Sequence, residues 1–71
     1  MRLVLGNKLE GDEDGINHLD RLDQAAEELF HKAKYEHRAK FEDSHGRHFV
    51  LTRESPGHYL VAQTDRNGGW V

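Results

Sequence analysis

Residues 35–64, YEHRAKFEDSHGRHFVLTRESPGHYLVAQT, decide the fold. Tyr35, His37, Ala39 and Phe41 alternate with Glu36, Arg38, Lys40 and Glu42, the period of a strand with one covered face, although a helix running on to Lys40 fits the same residues. Asp43-Ser44-His45-Gly46 is hairpin-loop chemistry: Asp and Ser bond nearby backbone amides and Gly accepts a positive φ. Residues 47–54 are rich in Phe, Val, Leu and Thr and predict a second strand. Ser55-Pro56-Gly57-His58 then places Pro and Gly at the central positions of a turn, and residues 59–64 predict a third strand.

These turns fix expected registers. A loop centred on His45 sets Phe41 opposite Phe49 and Ala39 opposite Leu51. A turn centred on Pro56-Gly57 sets Leu51 opposite Ala62 and leaves Leu60 on the same face. The expected core face is therefore Ala39, Phe41, Phe49, Leu51, Leu60 and Ala62, and the opposite face carries Arg38, Lys40, His48, Val50, Thr52, Tyr59, Val61 and Gln63.

Upstream, Leu19, Leu22, Ala26, Leu29 and Ala33 recur at spacings of three and four, with Phe30 widening the stripe. They predict one amphipathic helix over residues 17–33, with Asn17 as its N-cap, lying on the apolar face of the sheet. Residues 2–5 read as a short strand at an edge or detached, and the acidic, glycine-punctuated residues 10–15 read as a loop. The expected architecture is a single α+β domain over residues 1–71: one helix on a three- or four-stranded antiparallel sheet, in β-α-β-β-β order. Trp70-Val71 is expected to add a short edge strand or to pack on the core.

Composition narrows the functional classes. At 71 residues with 35% hydrophobic side chains, the core supplies only about 3–5 kcal/mol, and without cysteine no disulfide can add to it. The lack of cysteine, and an N-terminus without a basic region leading into a long apolar run, fit a cytosolic setting. No apolar run exceeds four residues, against roughly 20 for a membrane span. Residues 1–28 carry eight acids and three bases, residues 29–71 five acids and seven bases, so the chain is polarised around its net charge of -3.

No residue pattern supplies an activated nucleophile: Ser44 and Ser55 sit in turns, and no strand-turn-helix elbow surrounds either. The sequence therefore reads as a non-enzymatic protein-binding module without a cofactor, a small cytosolic adaptor or inhibitor that meets its partner through the sheet face or edge, or meets a copy of itself there. Tyr59, Val61, Val50 and Trp70 are the expected contacts, and Arg38 and Lys40 the residues that set charge complementarity. One alternative is a nucleic-acid-binding face, in which Arg38, Lys40, Arg47 and Arg53 contact phosphates and Tyr59 offers a stacking platform; Glu36, Glu42 and Glu54 on the same strands oppose it. The other is a small metal-binding protein using the turn histidines His45, His48 and His58, which lie in two different turns.

Overall fold

The computed structural model describes residues 2–64. They form β1 (Arg2–Val4), β2 (Asn7–Gly11), α1 (Glu13–Leu22), α2 (Gln24–Glu36), β3 (Arg38–Glu42), β4 (His48–Ser55) and β5 (His58–Gln63). The sheet order is β1-β2-β5-β4-β3, with every neighbouring pair antiparallel except β2 and β5, which run parallel. The class is α+β. The sheet, however, is five-stranded and mixed, and two helices cover it where one was expected.

Three local features account for the differences. First, residues 7–11 form a strand that reads poorly in sequence because its only large apolar side chain is Leu9, which is fully buried. The β1–β2 hairpin turns through Leu5 and Gly6, both at positive φ (51° and 81°), the backbone that two-residue hairpins require. Second, the helix is capped five residues before the expected N-cap, Asn17. Asp12 is the N-cap, its Oδ1 accepting the N–H groups of Asp14 (2.9 Å) and Gly15 (3.2 Å), and the first turn carries Glu13 and Asp14 at the positive end of the helix dipole. Acids that suggested a loop are thus a helix start. Third, the helix breaks at Asp23, where φ is 53° and ψ is −112°. The break re-aims α2 so that Ala26, Phe30 and Ala33 face the sheet as Ile16 and Leu19 do from α1.

At the other end, α2 runs to Glu36 and stops at His37, held in the left-handed region at φ 75°. Tyr35 is therefore a helical residue, 67% exposed, and not the first residue of a strand. From Arg38 the alternation holds, and the expected pairs Phe41↔Phe49 and Ala39↔Leu51 form.

The β4–β5 register is where the expectation fails. A bulge between Arg53 and Ser55 inserts one residue ahead of the Pro56-Gly57 turn, so Leu51 pairs with Val61 and Arg53 with Tyr59. A one-residue slip turns every side chain of β5 over. Tyr59 and Val61 point to the helices, at 3% and 1% exposure, whereas Leu60 faces out at 39% and Ala62 is exposed beside it. The exchange buries the larger pair. Tyr59 stands edge-on to Phe30 with ring centroids 5.0 Å apart, and Phe41 stacks on Phe49 at 5.4 Å. Packing is close where α1 crosses the sheet: a Cβ at Gly15 would lie 2.6 Å from Val61 Cγ1 and 2.8 Å from Phe49 Cδ1.

Candidate protein-binding face

Both helices lie on one side of the sheet, and among the described residues no element covers the other side. Its outward side chains can be read directly from the strand registers. One row crosses four strands as Glu10, Leu60, Thr52 and Arg38. The next runs Ala62, Val50 and Lys40. On the opposite flank Leu3, Lys8, His58 and Ser55 form a third row. The face is banded: an aliphatic strip of Leu60, Ala62 and Val50 runs down its middle, Glu10 marks one flank, and Arg38 and Lys40 mark the other.

Two of these groups are tied by a short hydrogen bond. His58 Nε2 lies 2.7 Å from Glu10 Oε1, joining the parallel strands β2 and β5 across the face. Both side chains remain half-exposed, so Glu10 keeps acceptor capacity for a second partner. At the far end, His48 Nε2 sits 4.0 Å from Glu42 Oε1.

Of the six contact residues expected from sequence, the face gathers three: Arg38, Lys40 and Val50. Tyr59 and Val61 are core residues, removed from the face by the bulge, and neither can serve as a surface anchor. Trp70 lies outside the described residues. Glu10, Thr52, Leu60 and Ala62 take part instead. Lys8-Leu9-Glu10 carried the signal for Glu10, since its alternation is that of a strand, but one apolar residue between two charges is a weak pattern.

The turn histidines are kept apart. His45 and His48 flank the β3–β4 loop, whereas His58 follows the β4–β5 turn at the other end of the eight-residue strand β4, roughly 25 Å away. Among the described residues no group of three or more His, Asp or Glu side chains is placed to hold a metal ion.

A second polar cluster lies on the helix side, where α1 meets the β3–β4 loop. Asp43, with its side chain 3% exposed, accepts the N–H groups of His45 (2.9 Å) and Arg47 (2.8 Å) and the Arg47 guanidinium at 2.7 Å. Arg47 also reaches Asp14 on α1 at 3.0 Å. Burial pushes the Asp43 carboxyl up, but hydrogen bonds from the Arg47 amide, the Arg47 guanidinium and the His45 amide outweigh it, and the net shift is downward. The Asp43 hydrogen bond, working against burial and helped by both Asp14 and Asp43 charges, raises Arg47 in turn. A cleft of about 150 Å³ beside this cluster is lined by Asn17, His18, Arg21 and Ser44 among others. Its central charges are already engaged with one another, anchoring the loop to the helix.

Comparison with protein-family models, curated proteins and solved structures finds no match to this chain. Among the described residues, no helix is long and apolar enough to cross a membrane.

Proposed function

We propose that this chain is a non-enzymatic protein-binding module of the cytosol, a small adaptor or inhibitor that docks through the open face of its sheet. The observation that carries the reading is the aliphatic strip Leu60, Ala62 and Val50, set out on a rigid sheet and flanked by opposite charges. A surface of this composition loses water favourably when covered, and the flanking charges orient what covers it. A small domain with a thin core also gains stability from any partner that binds only its folded state.

Tyr59 lies in the core, so among the described residues the open face carries no Phe, Tyr or Trp to serve as the aromatic platform that a nucleic-acid reading needs, and Glu10 and Glu42 share the face with Arg38 and Lys40. The protein-binding reading therefore has the better support. Its test is Leu60→Asp, which places a carboxylate in the middle of the strip without touching the core. The variant is expected to keep the wild-type circular dichroism spectrum and to lose partner binding; binding that survives unchanged refutes the reading.

A further inference from the structure

We infer that the partner fitting this face is a second copy of the chain, packed sheet to sheet about a twofold axis that runs along the strands between β4 and β5. The inference rests on the protein-binding reading above and names its partner. The row Glu10, Leu60, Thr52, Arg38 reads acid, aliphatic, hydroxyl, base across β2, β5, β4 and β3. Rotation by 180° about an axis parallel to the strands reverses the left-to-right order of the row and keeps its level along the strand. Glu10 of one copy then lies over Arg38 of the other, and Arg38 over Glu10, while Leu60 meets Thr52.

The next row obeys the same operation: Ala62 lies over Val50, and Val50 over Ala62. Its Lys40 comes over the level just beyond the end of β2, where Asp12 follows Gly11. One operation therefore sets Ala62 against Val50 and Leu60 against Thr52 at the centre and acid against base on both flanks. Isologous dimers require this kind of self-complementarity. Sheets packed face to face keep their strands within about 30° of alignment, and on the flanks long side chains such as Arg38 and Glu10 span the resulting offset.

The size of the contact sets its strength. Four strands about 4.8 Å apart and five residues long cover roughly 350 Å² per copy, about 700 Å² in total, against the 1,200 Å² or more of stable interfaces. The dimer is accordingly weak, with a dissociation constant of about 100 µM or higher, and forms only in concentrated solution or where copies are held close together.

Sedimentation equilibrium of the full chain, from low micromolar to about 1 mM, tests the arrangement. Wild type is expected to dimerise with rising concentration. Glu10→Arg and Arg38→Glu, each alone, set like charges together twice per dimer and are expected to weaken it at least tenfold, about 1.4 kcal/mol. Mixed in equal amounts, the two variants restore both opposite-charge pairs and are expected to recover wild-type association. Glu10→Gln and Arg38→Gln keep the test if a reversal unfolds the chain. A wild type that stays monomeric throughout overturns the inference, as does a dimer indifferent to the charge variants. If that dimer is still abolished by Leu60→Asp, the docking face stands and only this arrangement of copies falls; if it is not, both fall. In a monomeric wild type, a change in the emission of Trp70, the chain's single tryptophan, on Leu60→Asp would assign the face to residues 65–71 and overturn the second copy as its occupant.

Discussion

Adjacent residues of β5 should respond in opposite ways to truncation. Tyr59 is 3% exposed, packs edge-on to Phe30 at 5.0 Å, and lies beside Leu9 through the β2–β5 pairing. Tyr59→Ala removes a large buried ring, leaves a cavity the backbone cannot close, and breaks an aromatic pair; the cost is about 3–5 kcal/mol. A domain of this length holds roughly 4–10 kcal/mol in total, so the variant is left close to the threshold of folding. Leu60, 39% exposed on the open face, loses little when truncated, and Leu60→Ala should cost less than about 1 kcal/mol. Urea unfolding followed by circular dichroism reads both: with a slope near 1 kcal/mol per molar, the Tyr59→Ala midpoint falls by about 3 M or more and that of Leu60→Ala by under 1 M. If Leu60→Ala were the more damaging of the two, β5 would be in the register that the Pro56-Gly57 turn alone predicts, and the docking face described above would not exist.

Other perturbations test the supporting structure. Gly15→Ala drives a methyl into Val61 and Phe49 and should destabilise the fold by about 1–3 kcal/mol despite the better helix propensity of alanine, again read by urea midpoint. Asp12→Ala removes the acceptor that caps α1 and should cost about 1 kcal/mol, whereas Asp12→Asn should recover most of it. Asp43 has a folded-state pKa below its ordinary value, so its contribution is present above the unfolded-state pKa and is lost as pH falls through the folded one. Asp43→Asn should therefore lower the thermal midpoint at neutral pH and flatten its decline on acidification; an unchanged acid limb would refute the role given to this carboxylate.

Sequence reasoning reached furthest where one signal decided one element. Leu19, Ala26 and Ala33 are core-facing helical residues, though on two helices rather than one, and the loop centred on His45 sets the β3–β4 register at Phe41 and Phe49 as expected. It failed where a choice depended on contacts made elsewhere. The bulge near Glu54 leaves no mark in the sequence, because Ser55-Pro56-Gly57-His58 is good turn chemistry in either register; what decides is that Tyr59 and Val61 fill the space beneath α1 and α2 and Leu60 and Ala62 do not. Strand β2 is stabilised by neighbours on both sides, β1 and β5, and its own residues needed only to place Leu9 inward. The error at the bulge carried straight into the candidate site, since two of its expected anchors, Tyr59 and Val61, exchanged faces with Leu60 and Ala62.

Because the chain has no cysteine, Leu60→Cys supplies a single thiol at the centre of the proposed face, and its rate of reaction with a small disulfide reagent measures cover over that face directly. The account predicts reaction close to that of an unfolded-chain thiol at low micromolar protein, slowing several-fold as the concentration approaches about 1 mM and copies meet. A thiol equally reactive at every concentration, or protected even in dilute solution, would contradict it.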